Sequence, residues 1–191
     1  MAAASKAAMP GFVEPCDPTL QEQAPTGDNW VYEIKIDGYR AQVHLYDGRV
    51  TIYSRRGYDW TEQFAPIAKA ASELKVREAI IDGEVTVLGK TGFPDFQALR
   101  GELGNRESTR LLYHAFDLLY LNGRDLRRAP LLKRKKALKS ILKKSPAALA
   151  YVDFLEADGS RVLEQACRMG LEGSWQNVLT RRTDRGVRRA G

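Results

Sequence analysis

The sequence predicts an α+β fold built on largely antiparallel sheets, and three observations carry that prediction. Short stretches near the N-terminus alternate apolar and polar residues between Asp-Gly pairs. Apolar residues fall at helical spacing in the segments between later strands. Strands and helices then follow one another without the regular alternation that a parallel sheet requires.

The elements follow in order. In NWVYEIKIDGYRAQVHL, residues 29 to 45, Tyr32, Ile34 and Ile36 share one face while Val31, Glu33, Lys35 and Asp37 share the other. Residues 31–36, 39–46 and 49–55 therefore read as three strands of a meander, with Asp37-Gly38 and Asp47-Gly48 as its turns. DWTEQFAPIAKAASELK places Phe64, Ile67, Ala71 and Leu74 on a helix, with Thr61 as its cap. AIIDGEVTVLG is a strand, DFQALRGEL a short helix, and RLLYHAFDLLYLNGRDL a long strand turned at Asn122-Gly123. LLKRKKALKSILKK reads as a helix opened by Pro130, with Leu131, Leu138, Ile141 and Leu142 mostly on one side and its lysines on a solvated face within reach of phosphates. LAYVDFLEA is a strand, and GSRVLEQACRMG a helix closed by Gly170.

Composition narrows the class. A chain of 191 residues with 43% hydrophobic and 28% charged residues has enough apolar material for one sizeable core, which excludes a disordered chain. No run approaches the roughly 18 apolar residues of a membrane-spanning helix, and MAAASKAAMPGF lacks a secretory core, so a cytoplasmic protein is expected. Cys16, Cys167, His44 and His114 show no metal-ligand spacing. Of the net charge of +6, residues 174–191 carry +4, which leaves a weak electrostatic case for nucleic acid in the body of the chain.

Lys35 is the anomaly, because neither lysine nor aspartate favours a strand. An amine at the rim of a groove is activated when neighbours and partial desolvation push it towards its neutral form. Asp37 can hold that amine or move its proton, Gly38 allows close approach, and Arg40 supplies a fixed charge for phosphate or ribose.

The pattern K-x-D-G-x-R resembles the nucleophile motif of the covalent nucleotidyltransferases: DNA ligases, RNA ligases and messenger-RNA capping enzymes. The later motifs occur in order. YSRRGYDWT resembles the second, IIDGEVTVL the third, YHAFDLLYLNGRDL the next, and MGLEG the start of the fourth. Taken singly, Ser54 to Gly57 reads as a hairpin turn, Phe116 as core, and Glu172 as a surface acid; their order behind Lys35 changes that. The wording of PDFQALR and AFDLLYLNGRDL is similar to the ATP-dependent ligase domain of bacterial end-joining ligases of the ligase D type. Thirty-four residues precede Lys35, short of the nicotinamide-binding domain of NAD-dependent ligases, which favours ATP.

The resemblance implies an ATP-grasp-like nucleotidyltransferase domain over residues 29–173, led in by residues 1–28. It implies ATP binding by Glu33, Lys35, Arg40, Arg55, Glu84 and Phe116, with Lys35 and Asp37 catalytic. It further implies magnesium at Glu84 and Glu172, with Phe116 stacked on the purine and Asp117 supporting it. The implied partners are nicked or broken double-stranded DNA and end-joining repair proteins, with no membrane, in the cytoplasm at the bacterial nucleoid. Two alternatives stand beside it: a remnant that binds nucleotide or DNA weakly, and a relative of capping enzymes or RNA ligases.

The chain departs from the family after GLEG. Two β-branched residues, a variable position and a lysine are expected there, then a tryptophan with paired lysines and a C-terminal OB domain; the sequence instead reads SWQNVLTRRTDRGVRRAG. This tail lacks strand alternation, and without the missing cations and lid a crippled enzyme is expected. Residues 173–191, written in permitted codons and read from the third base, give IVAKRADAPYRSGRTSGW. Only the first base of each shifted codon is freely chosen. Residues 174–191 thus read as family sequence out of frame.

Overall fold

The protein is represented by a computed structural model that describes residues 7–16, 30–33, 36–90, 92–155 and 178–181. Its first strand, β1 (Trp30–Glu33), does not join the two strands that come next. β2 (Tyr39–Tyr46) and β3 (Arg49–Ser54) form a hairpin whose turn residues Asp47 and Gly48 have φ of 45° and 78°. Aspartate and glycine tolerate this doubly left-handed geometry, and it matches the twist of the strands. α1 (Ala65–Ser72) then crosses to β4 (Glu78–Val87), which pairs with the free side of β2.

α2 (Phe96–Glu102) is capped by Asp95, whose carboxylate accepts the Ala98 N–H at 2.9 Å. β5 (Leu111–Leu121) pairs with β4, and Asn122-Gly123, at φ 44° and 84°, turns it into β6 (Arg124–Asp125). α3 (Leu131–Leu142) leads to β7 (Leu149–Tyr151), which adds to β5 in parallel. The main sheet is therefore six-stranded and mixed, ordered β3-β2-β4-β5-β6 with β7 on β5. β8 (Phe154–Leu155) and β9 (Val178–Arg181) flank β1 in a second, three-stranded sheet.

The core lies on one face of the main sheet, where Ala41, Val43, Ile52, Ile81, Val85, Ala115 and Leu118 meet Phe64, Ile67 and Ala71 around α1 and Leu138 of α3. Burial of these side chains contributes about 1.5–3 kcal/mol for each large residue. The opposite face of β2 and β4 carries Arg40, Gln42, Asp82 and Glu84 in cross-strand register. Residues 7–16 lie along that polar face: Val13 exchanges two 3.0 Å hydrogen bonds with the Gln42 amide, and Tyr120 Oη donates to the Ala7 carbonyl at 2.8 Å.

Several expectations are corrected. Residues 31–55 are not one meander, because β1 belongs to the second sheet. Gly38 is not a positive-φ turn glycine; a Cβ there would lie 2.2 Å from the Val85 carbonyl oxygen, so close packing of β4 requires it. Thr61 caps nothing: its hydroxyl accepts the Ile52 N–H, and α1 begins after Phe64 without a side-chain cap. LAYVDFLEA is two short strands in different sheets. The tail contributes β9, since the open backbone of β1 can pair with an extended segment whatever its side-chain pattern. The helix expected over residues 159–170 lies outside the described residues.

Candidate active site

An irregularity in β5 builds the centre of the polar face. Gly83 pairs with Ala115 and Asp82 with Asp117, so Phe116 has no partner on β4 and is the extra residue of a β-bulge. A bulge re-aims side chains and is common beside active sites. Gly83 makes this possible, because a Cβ there would lie 2.5 Å from the Tyr113 ring and 2.7 Å from the His114 carbonyl oxygen. Tyr113 Oη bridges the strands, donating towards the Ile81 and Ala41 carbonyls at 2.9 and 3.1 Å.

Arg40 reaches over this bulge. Its guanidinium lies 5.2 Å from the Phe116 ring centroid and meets both Asp82 oxygens, Nε–Oδ1 at 3.3 Å and Nη2–Oδ2 at 2.8 Å. Nη1 also approaches the Cys16 carbonyl at 3.4 Å. Burial pushes the Asp82 carboxyl above its ordinary value while Arg40 pulls it down. Arg40 loses solvation too, but its hydrogen bonds to Asp82 leave its pKa raised. Glu84 sits directly across from Arg40 in the β2–β4 register and adds to that stabilisation.

Two further acid–base pairs continue the pattern. Arg134 of α3 grips Asp117 with Nε–Oδ1 at 2.8 Å and Nη2–Oδ2 at 2.9 Å, a bidentate geometry. Its neighbour Lys135, 0% exposed, donates to the Phe116 carbonyl at 3.1 Å and the Val152 carbonyl at 2.8 Å. Lys135 Nζ also lies 2.8 Å from Glu33 Oε1, a buried ion pair. Burial pushes the Glu33 carboxyl up, with Lys135 opposing it. Three acids, Glu33, Asp82 and Asp117, are thus matched by Lys135, Arg40 and Arg134.

Of the residues expected at the site, the structure brings Glu33, Arg40, Glu84 and Phe116 around this network. Arg55 is exposed in the turn after β3, where Gly57 has φ 80° and donates to the Ser54 carbonyl at 2.9 Å. Asp37 is exposed between β1 and β2. Lys35 and Glu172 lie outside the described residues.

Sequence reasoning missed Arg134 and Lys135 by assigning the α3 cations to solvent. Their positions held the signal: Leu131, Arg134, Lys135, Leu138 and Leu142 follow the spacing of a buried helical stripe, and all five are buried.

A fold of this kind, with a charged network under a bulged aromatic and a lysine motif leading into it, defines a nucleotidyltransferase domain. The model of the ATP dependent DNA ligase domain matches residues 10–175, and the chain belongs to that family. It is 38% identical over 169 residues to the multifunctional non-homologous end joining protein LigD of Pseudomonas aeruginosa, covering 88% of this chain and 20% of that protein. With LigD of Mycobacterium tuberculosis the identity is 33% over 156 residues, 81% of this chain and 19% of the relative. The crystal structure of the ligase domain from M. tuberculosis LigD superposes with a TM-score of 0.68 at 29% identity, over 85% of this chain and 52% of that one. A mycobacterial DNA ligase D complexed with ATP and MES gives 0.67, also at 29% identity, over 85% and 51%. The chain spans about a fifth of these curated relatives and about half of the solved chains.

Proposed function

We propose that this domain carries the adenylation half of an ATP-dependent DNA ligase of the end-joining type. In the first step neutral Lys35 Nζ attacks the α-phosphorus of ATP. A P–N bond forms, the bond to the α,β-bridging oxygen breaks, pyrophosphate leaves, and the amine proton is released with Asp37 at hand to accept it. AMP then passes to a DNA 5′-phosphate, and a 3′-hydroxyl displaces it to close the strand.

The observation that carries this reading is the bulge at Phe116 under the Asp82-bound Arg40, beside Glu84. It offers an aromatic face for a purine and a pre-oriented cation for ribose or phosphate, and phosphoryl transfer depends mainly on such positioning. Arg55 supplies a second cation. The Glu33 carboxylate, buried against Lys135, has lone pairs left to accept the exocyclic amine of adenine.

Magnesium keeps several waters and uses one or two carboxylates with substrate phosphates, a role that the Glu84 carboxylate on the polar face suits. Glu84 and Glu172 would hold it, and when bound it neutralises phosphate oxygens.

Calorimetry with α,β-methylene ATP, which cannot transfer AMP, tests the pocket. Phe116→Ala should weaken binding by about 1 to 3 kcal/mol through lost stacking area. An unchanged affinity would sink the assignment.

A further inference from the structure

Lys135 meets three neighbouring pieces of chain at the place where the two sheets come together. Its ammonium contacts Glu33 at the end of β1 in the second sheet, the Phe116 carbonyl at the bulge of β5 in the main sheet, and the Val152 carbonyl between β7 and β8. An ammonium has three donors and no acceptor, so it can address these three directions at once. One cation therefore ties the Glu33 carboxylate to the backbone of the aromatic residue that would face a base.

Besides these contacts the ammonium lies 5.2 Å from the Tyr151 ring centroid, and the other two acids have partners of their own. Asp117 is fully engaged by Arg134, and Asp82 by Arg40. Removing Lys135 would leave Glu33 a buried acid without its ion-pair partner, free to take up a proton or turn away.

We infer that Lys135 is a positioning residue for base recognition: it fixes the Glu33 carboxylate beside Phe116, and so sets the preference of the site for a purine with an amino donor over one with a carbonyl. The inference rests on the nucleotide site proposed above. Adenine presents an amino group at C6 and guanine presents an oxygen there. A fixed carboxylate accepts from the first and repels the second, whereas a protonated or displaced one discriminates poorly.

The test is the ratio of affinities for α,β-methylene ATP and α,β-methylene GTP, measured with the 191-residue chain. Loss of general structure weakens both nucleotides alike, but loss of Glu33 positioning lowers the ratio. Lys135→Met and Glu33→Gln should each reduce it by about tenfold or more, the worth of one hydrogen bond to a charged group. Adding Lys135→Met to Glu33→Gln should change the ratio less than about twofold, since the lysine acts through the carboxylate. This double variant buries no unpaired charge, so the comparison survives if Lys135→Met alone fails to fold. An unaltered ratio in Lys135→Met, or a further fall in the double variant, overturns the inference while Phe116→Ala still reports the site. If neither Phe116→Ala nor Glu33→Gln alters nucleotide affinity, the site and the inference fall together.

Discussion

His44 Nε2 lies 2.8 Å from Gln42 Oε1 on the polar face, and burial pulls the imidazole pKa down to about 4. The unfolded chain binds a proton near the ordinary value of about 6.5, so the stability of the neutral folded form is complete above that pH. It is lost as pH falls from about 6.5 to about 4, by up to about 3 kcal/mol, because each tenfold loss of proton affinity on folding is worth about 1.4 kcal/mol. Urea midpoints between pH 7 and pH 4 should fall more steeply for the native chain than for His44→Gln; parallel profiles would refute the assignment. At this scale the sequence was only partly legible. Phe116 and Glu84 were picked out by their motifs, but the β-bulge was not, because pairing register depends on both strands. Gly38 reads as a turn residue, and the packing need for Gly38 and Gly83 is hidden because the strand that crowds each of them is distant in sequence.

α3 shows how one helix holds two kinds of cation. Lys139 pairs with Asp153 at 2.7 Å with both side chains more than half exposed, and such pairs contribute about 0–1 kcal/mol. Arg134 is buried against Asp117, and removing one partner of a buried pair typically costs about 3–5 kcal/mol. Chemical denaturation should therefore show Arg134→Ala destabilising by several kcal/mol and Lys139→Ala by less than about 1 kcal/mol. Equal effects would mean that the two sides of the helix had been misjudged. Periodicity gives the start and the leucine stripe of this helix, which ends at Leu142, two residues short of the expected Lys144. The identity of its buried members was hidden by the habit of sending lysine and arginine to solvent, a preference that a matching acid overrides.

Across the whole molecule, the order of the motifs made the family legible, while the division into two sheets was not. Strand alternation reports that β1 is a strand, but not that its partners are β8 and β9. The tail adds a separate expectation. The family match ends at residue 175, close to where the shifted reading begins to spell IVAK. Sequencing the locus should show a one-nucleotide disruption near codon 173 with the downstream frame open and encoding the paired lysines. The chain as given should transfer labelled AMP to itself very poorly, and restoring the frame should restore Lys35-dependent transfer. Efficient nick sealing by the 191-residue chain, or nucleotides that spell no family sequence in the other frame, would end that idea.

The pairing of β1 also has a consequence for biosynthesis. β2 through β5 find their partners within a short stretch of nascent chain, but β1 is made early and pairs with residues 154–155 and 178–181. At about 5–20 residues per second, a ribosome leaves that strand waiting on the order of ten seconds after it emerges. Throughout that interval the segment leading into Lys35 offers two open edges, the kind of surface that chaperones shield. The part of the chain that reads as the nucleophile's support is thus the last to be secured during synthesis.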